Sequence, residues 1–211
     1  MNETEARDWL RDSLHVSRET MDRLERLVAI TIAENAQQNL IARSTLDTIW
    51  ARHIVDSAQL VPLSAQAPPG RWIDLGSGAG FPGLVAALLT ERQVTLVEMR
   101  RLRANHLESL VVELGLEGRV TVSQARVEQL PTHPHAVISA RAFAPLPRLL
   151  ASAAHLAGPE THWLLPKGRS AASELEACRG TWQGSFGIES SVTDPEGAII
   201  VATGVQSGRR R

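Results

Sequence analysis

The chain has 211 residues, 43% of them hydrophobic, and a formal net charge of −1. It is long enough to bury a sizeable core, and its charge argues against a protein that coats nucleic acid by net charge alone, while leaving a local basic face open. The single cysteine, Cys178, excludes an intrachain disulfide. No apolar run approaches the ~20 residues of a membrane span, so we expect a cytoplasmic protein without membrane contact.

Residues 1–61 are predicted to form an N-terminal helical cap. Ser17 can cap a first helix, and Ser44-Thr45-Leu46-Asp47 is typical of a capping box that opens a later one. Apolar residues at helical spacing define the first stripe. They are Met21, Leu24, Leu27, Val28 and Ile32. Prolines and a glycine over residues 62–70 predict a linker.

From residue 71 onward, short strand patterns alternate with helix patterns. The predicted strands are 71–75, 94–98, 120–122, 136–139, 163–166 and 198–202, and the predicted helices are 82–89, 100–114, 146–156 and 170–179. Such alternation predicts an α/β fold with a mostly parallel sheet and helices on both faces. We expect this domain to cover 71–204, with a flexible basic tail over 205–211 that ends in Arg209–Arg211.

The stretch WIDLGSGAGFPG contains the G-x-G-x-x-G spacing of a dinucleotide loop, at Gly78, Gly80 and Gly83. A dinucleotide loop directs backbone N–H groups at a pyrophosphate, which the carboxylate of Asp74 would repel. Pro82 also lacks an N–H where the first helical donors should be. S-adenosylmethionine carries no phosphate, and its ammonium group favours a nearby acid. The loop therefore favours S-adenosylmethionine as the cofactor.

Glu98 ends the second predicted strand, 20 residues after Gly78. An acid at this place can accept hydrogen bonds from both ribose hydroxyls in either cofactor class. Glu98 is therefore a candidate cofactor ligand that does not discriminate between the two classes.

The segment after the fourth predicted strand bears on the methyl acceptor. Enzymes that methylate exocyclic amines usually carry Asn/Asp-Pro-Pro-aromatic there, whereas this chain has Ser139-Ala140-Arg141-Ala142-Phe143. Carbon methylation of pyrimidines needs a cysteine nucleophile, and Cys178 lies in a predicted helix away from the strand ends. A guanine N7 lone pair needs only orientation, and a pocket without an obvious base is compatible with it.

Several motifs together resemble the RsmG (GidB) family, from about Asn35 to Lys167. They are Asn35-x-x-x-Asn39-Leu40, Arg52-His53-Ile54-Val55-Asp56-Ser57, the loop 74–83, Arg126-Val127-Glu128, Ser139–Phe143 and Lys167-Gly168. The resemblance implies a class I, Rossmann-like methyltransferase. It also implies that S-adenosylmethionine donates a methyl group to guanine N7 in bacterial small-subunit (16S) ribosomal RNA.

The resemblance and the loop reasoning together give a set of candidate site residues. The expected cofactor-binding residues are Asp74, Gly76, Gly78, Gly80, Phe81, Glu98, Val127, Glu128 and Arg141. Arg141 and Lys167 follow the fourth and fifth predicted strands and are expected to position the substrate. The expected contacts with RNA or within the cap are Asn39, Arg52, His53 and Arg126.

Structural alternatives exist for several of these residues. Arg52 and Asp56 have the i, i+4 spacing of a helical ion pair, and His53 lies on an apolar stripe, where a buried structural histidine is as well explained. Arg141 could instead brace its loop through a salt bridge. The His-x-His of His133 and His135 lacks acidic or cysteine neighbours, so we expect no metal site.

The expected partner is small-subunit ribosomal RNA or the small ribosomal subunit, bound by a monomer. Arg100, Arg101 and Arg103 begin a predicted helix and could follow an RNA backbone. Three other functions fit parts of the pattern: a small-molecule methyltransferase, an NAD-dependent oxidoreductase and a non-catalytic nucleotide-binding protein.

Overall fold

The computed structural model describes residues 1–208. Its α-helices are α1 (Glu3–Asp12), α2 (Arg18–Gln38), α3 (Asp56–Ala58), α4 (Leu60–Leu63), α5 (Gly83–Leu89), α6 (Arg101–Glu113), α7 (Leu146–Ala153) and α8 (Ala171–Glu176). Its strands are β1 (Trp72–Leu75), β2 (Val94–Val97), β3 (Val120–Ser123), β4 (His135–Ala140), β5 (Ala157–Lys167), β6 (Trp182–Ser190) and β7 (Ala198–Ser207). A π-helix covers Trp50–Val55, and 3-10 helices cover Arg43–Thr48, Ser64–Gln66, Val127–Gln129 and Ala154–Leu156.

The strands form one sheet in the order β3-β2-β1-β4-β5-β7-β6. Strands β1 to β5 pair in parallel, and β7 lies antiparallel between β5 and β6. The mostly parallel class I architecture is therefore confirmed. Strand β6 was not predicted, and β7 extends to Ser207, so residues 205–207 belong to the sheet. The predicted tail residues Arg209–Arg211 lie outside the described residues.

The N-terminal region is helical, but several predicted details differ. Ser17 caps α2, because its Oγ accepts a hydrogen bond from the Thr20 N–H at 3.2 Å. Ile32, predicted on the buried stripe, is 44% exposed, and Thr31 occupies the buried position instead. Ser44 does not cap a helix, because the chain there forms a 3-10 helix without a side-chain cap. The predicted linker also contains structure, since α4 and a 3-10 helix reach Gln66.

The buried apolar residues form two clusters, one on each face of the sheet. The first cluster joins α1, α2 and the π-helix to alternate sheet residues such as Trp72, Leu96 and Val137. The second packs α7 and α8 against the opposite sheet residues, including Ile73 and Ile138. Because successive strand residues face opposite sides, both layers are needed to bury the sheet. No helix within residues 1–208 is long and apolar enough to cross a bilayer.

Candidate functional site

The site lies where the sheet changes direction. Strands β1 and β4 are parallel neighbours, but the chain continues from β1 toward one sheet edge and from β4 toward the other. Leu75 pairs with Ala140, so Gly76 and Arg141 leave the sheet side by side. In open parallel sheets, ligands bind at such a switch point, outside the carboxyl ends of the strands.

The glycine loop after β1 depends on glycine for its backbone and its packing. Gly76, Gly78 and Gly80 have φ values of +69°, +55° and +96°, which side chains rarely adopt. A Cβ on Gly76 would lie 2.7 Å from Cδ2 of Phe143, so this glycine lets the two loops approach each other. The N–H of Gly78 donates to Oε2 of Glu98 at 3.1 Å, which ties the loop to the end of β2.

One cavity, which we call the Glu98 cavity, opens at the ends of β2 and β3 and has a volume of about 310 Å³. It brings together most of the predicted residues from that half of the sheet. These are Gly76, Glu98, Arg126, Val127 and Glu128. Glu98 is 5% exposed, and its Oε1 accepts the Arg100 N–H at 2.8 Å. Each carboxylate oxygen has a second lone-pair direction, so Glu98 can still accept from a ligand.

A second space, the glycine-loop cavity, has a volume of about 340 Å³ and lies between the loop after β1 and the helical N-terminal region. Its lining includes Gly76, Gly78, Phe81, His53 and Arg141. Phe81 is nearly buried, and the guanidinium carbon of Arg141 lies 5.6 Å from its ring centroid.

Gly80 and Asn39, both predicted as site residues, line neither of these cavities. Gly80 faces the interior, where an added Cβ would lie 2.4 Å from Cδ1 of Leu84. Asn39 ends α2 in the left-handed conformation, and its carbonyl accepts a long hydrogen bond of 3.4 Å from Arg103. Both residues therefore shape the backbone around the site.

The largest of the three spaces, the Lys167 cavity, has a volume of about 480 Å³ and opens beyond β4 and β5. Arg52, His53, Arg141 and Lys167 all line it. Ala142 lines this cavity and both of the others, so the three spaces meet there. Ala142 has φ +53°, a conformation that costs a non-glycine residue of the order of 1 kcal/mol and marks functional sites more often than others.

Arg141 belongs to a hydrogen-bonded chain that fixes the tautomer of His53. Its guanidinium donates to the carbonyl of Arg52 at 2.9 Å and to Nδ1 of His53 at 2.8 Å. Because arginine can only donate, Nδ1 must be the acceptor, and the ring proton lies on Nε2. Nε2 then donates to Oγ1 of Thr45 at 2.8 Å, and that hydroxyl donates to the Ala42 carbonyl. His53 is thus a buried, fully bonded histidine that positions Arg141.

This environment should make stability depend on pH through His53. Burial, followed by the charges of Arg141 and Arg52, lowers the pKa of His53 from 6.5 to about 3. Below pH 6.5 His53 therefore binds a proton in the unfolded chain, whereas in the folded chain it stays neutral down to about pH 3. Above pH 6.5 the burial of His53 does not lower the free energy of unfolding. Between pH 6.5 and about pH 3 the free energy of unfolding falls by about 1.4 kcal/mol for each pH unit.

We expect His53→Gln to remove that part of the acid dependence. Denaturant unfolding between pH 6 and pH 4 would show a shallower slope for the variant than for the natural chain. His133→Gln, at an exposed histidine, is the matched control and should keep the natural slope. Equal slopes for His53→Gln and the natural chain would contradict the assignment.

Asp74 does not lie where the sequence predicted. Its carboxyl is fully buried beneath the glycine loop and lines none of the three cavities. Oδ1 accepts from the Ser139 hydroxyl at 2.7 Å, and that hydroxyl in turn accepts from the Trp72 indole. Burial raises the pKa of Asp74. The geometry therefore places Asp74 under the loop, and its role in cofactor binding stays a prediction.

Lys167 and Arg52 both face the Lys167 cavity, but each is already paired. Nζ of Lys167 lies 2.8 Å from Oε2 of Glu174 and donates to the Ala144 carbonyl. Burial alone would raise the pKa of Glu174, but hydrogen bonds led by that from Lys167 lower it. Arg52 pairs with Asp194 at 2.9 Å, so the structural alternative of an i, i+4 pair with Asp56 does not form.

Sequence reasoning missed the three carboxylates of this cavity as site residues, together with the threonine that bonds to His53. They are Thr45, Asp56, Glu174 and Asp194. Asp56 was visible in the Arg-His-x-x-Asp-Ser motif but was assigned only to a helical ion pair. Nothing in the sequence pointed to Asp194 as a site residue, because its partner Arg52 is 142 residues away in the chain. Within residues 1–208, no group of three or more His, Cys, Asp or Glu is arranged to hold a metal ion.

Comparison with solved structures agrees with this architecture. The O-methyltransferase from Bacillus cereus in complex with SAH superposes with a TM-score of 0.60 at 15% identity, over 93% of this chain and 96% of that one. At this identity the likeness concerns the fold alone.

Comparison with known sequences is more specific. A model of the GidB family, described as rRNA small subunit methyltransferase G, matches residues 20–198. Ribosomal RNA small subunit methyltransferase G from Rhizorhabdus wittichii is 58% identical over 98% of this chain and 94% of its own length. The protein of the same name from Sphingopyxis alaskensis is 50% identical over 100% of this chain and 90% of its own length. The chain belongs to the GidB family of methyltransferases.

Proposed function

We propose that this chain transfers a methyl group from S-adenosylmethionine to N7 of a guanine in bacterial small-subunit ribosomal RNA, in the cytoplasm. The observation that carries the proposal is the junction at Ala142, where two cavities along the glycine loop open into a third that is lined by charged residues. Membership of the GidB family supports the enzyme class, the cofactor and the class of substrate.

The residues present fit S-adenosylmethionine better than a dinucleotide. The Gly78 N–H, which a pyrophosphate would need, is already bonded to Glu98. Glu98 retains acceptor capacity for ribose hydroxyls, with Val127 and Glu128 beside it in the Glu98 cavity. The glycine-loop cavity would hold the methionine part, next to Phe81 and Arg141. When bound, the cofactor supplies an electrophilic methyl group.

The Lys167 cavity would hold the methyl acceptor. His53 lines this cavity, but both of its ring nitrogens are engaged, so it cannot take a proton from an acceptor. Guanine N7 has a free lone pair at neutral pH and needs no general base. Catalysis then rests on holding donor and acceptor in line, which is worth several orders of magnitude in rate. Arg141, which borders two cavities, is the residue best placed to keep that alignment.

The expected partner is the small ribosomal subunit or its RNA, bound by a monomer. Arg126 and Arg52 lie at the mouths of two different cavities and are candidates for phosphate contacts. Asn39 supports the wall of the glycine-loop cavity, where Leu40 and Ala42 contribute lining atoms.

The test uses small ribosomal subunits from cells that lack this protein. These subunits, and separately their stripped RNA, would be incubated with the purified protein and methyl-labelled cofactor, and the label would then be mapped. We expect label at N7 of a single guanine. Subunits from cells that contain the protein are the matched control and should accept no label, because their site is already methylated.

Other outcomes would point to other functions. Tight S-adenosylhomocysteine binding without label on either substrate would favour a small-molecule methyltransferase or a non-catalytic protein. Binding of NAD without binding of S-adenosylhomocysteine would favour an oxidoreductase.

A further inference from the structure

Three carboxylates line the Lys167 cavity, and two of them have no free oxygen. Glu174 accepts from Ser170 through Oε1, and from Lys167 and the Leu146 N–H through Oε2. Asp194 accepts from Arg52 through Oδ2 and from the Glu196 N–H through Oδ1. Every oxygen of these two acids already accepts from a protein donor, so both acids hold protein groups in place.

Asp56 is different. Its Oδ1 accepts a hydrogen bond from the Thr193 hydroxyl and a long one of 3.4 Å from the Gln59 amide. Its Oδ2 has no hydrogen-bond donor among residues 1–208. Burial raises the pKa of Asp56, although the Thr193 bond and the charge of Arg52 oppose the rise. A half-buried carboxylate with a free oxygen gains most from a ligand that brings N–H donors.

Asp56 also occupies a definite place in the cavity. It lies about one helical turn after His53, which borders the glycine-loop cavity as well as the Lys167 cavity. Asp56 borders only the Lys167 cavity, on the wall formed with the segment that joins β6 to β7. An acceptor base whose reacting atom faces Ala142 would therefore turn its opposite side toward this wall.

Resting on the proposed function, we propose that Asp56 Oδ2 reads the Watson–Crick edge of the target guanine by accepting from its N1–H and N2–H groups. Guanine N7 lies on the opposite edge of the purine, so this contact is compatible with N7 facing Ala142. An adenine would present its unprotonated N1 to the carboxylate and be repelled. Asp56 is then a specificity-determining residue, and the paired acids Glu174 and Asp194 are not.

The experiment compares two substrates that differ only at the 2-amino group. Small subunits are reconstituted with RNA that carries either guanine or inosine at the mapped position. Inosine keeps N7, O6 and N1–H but lacks one donor for Asp56. We expect the natural protein to show a kcat/KM about tenfold lower on inosine, the typical effect of one hydrogen bond to a charged group.

The Asp56→Ala variant should lose this preference and methylate both substrates at similar, reduced rates. Thr193→Val is the matched control: it removes the bond between Thr193 and Asp56 but leaves Oδ2, so the preference for guanine should persist.

A natural protein that treats the two substrates alike would overturn the proposal. So would an Asp56→Ala variant that keeps the preference, which would leave Asp56 with a purely structural role. Both results are distinct from a failure of the proposed function, in which the natural protein would label no guanine in the subunit and the role of Asp56 would fall with it.

Discussion

Replacing Arg141 with alanine is expected to lower the rate of methyl transfer by about 100-fold, with a much smaller effect on S-adenosylhomocysteine affinity. Arg141 holds the Arg52 carbonyl and His53 Nδ1 and lies next to Ala142, where the cavities meet. Its loss frees both partners, and a displacement of about 1 Å at a reacting centre costs ~100-fold in rate. Single-turnover transfer to small subunits measures the rate, and calorimetry measures the affinity.

Two further variants test whether Arg141 acts through the geometry of its hydrogen bonds or through its positive charge. Arg141→Lys keeps the positive charge but loses the planar pair of donors, so we expect it to be nearly as slow as the alanine variant. Arg18→Ala, at an exposed arginine in the first turn of α2, should keep the natural rate. Full activity in Arg141→Lys would mean that charge alone matters and that the chain through His53 does not.

Replacing Gly83 with alanine is expected to lower the free energy of unfolding by about 1–3 kcal/mol. The new Cβ would lie 2.3 Å from Cδ2 of Leu96 and 2.9 Å from Cβ of Asp74, and both neighbours are fully buried. Gly83 is not among the residues with positive φ, so the backbone would accept alanine and the cost comes from packing. Denaturant unfolding measures the change.

Gly118→Ala is the matched control for this experiment. No atom lies within 4 Å of the position that its Cβ would take, so stability should change by less than about 0.5 kcal/mol. If Gly83→Ala proved as stable as the natural chain, α5 would have to shift away from β2. The glycine at the end of the sequence fingerprint would then not be required by packing.

The parallel part of the fold could be predicted from the sequence because its signals are local. Strands β1 and β2 are short apolar runs that end at Asp74-Leu75 and just before Glu98, and a glycine turn or a charged helix start follows each. Strand β6 gave no such signal. Along its face, Trp182, Phe186 and Ile188 are interrupted by Gly184, and most of this edge strand is exposed.

Sequence reasoning located site residues only where they directly follow a strand, because the strand then determines where they lie in the fold. Gly76, Glu98 and Arg141 follow strand ends, and parallel strand ends meet at one edge of the sheet. The direction of a side chain was harder to predict. Asp74 lies in β1 itself and faces Ser139 under the loop, so its charge, which favoured one cofactor class, is enclosed in protein.

The residues that close the Lys167 cavity could not be predicted, because their contacts connect distant segments. Asp56 and Arg52 meet Thr193 and Asp194 only after β6 and β7 have joined the sheet. The segment between those strands carries no motif, and its position follows from strand pairing that the sequence did not reveal.

The shared apolar cluster beneath the sheet bears on how this enzyme could be divided or altered. Helices α1 and α2 and the π-helix cover the sheet face that contains Trp72 and Leu96. They therefore cannot unfold on their own without exposing to water the part of the sheet that supports the glycine loop. We expect one cooperative unfolding transition for the whole chain. A shortened protein that began at residue 71 would expose the part of the sheet face that these helices cover, and we expect it to aggregate. The N-terminal region is therefore not an exchangeable module, because it supplies Arg52, His53 and Asp56 to the acceptor cavity as well as apolar residues to the core.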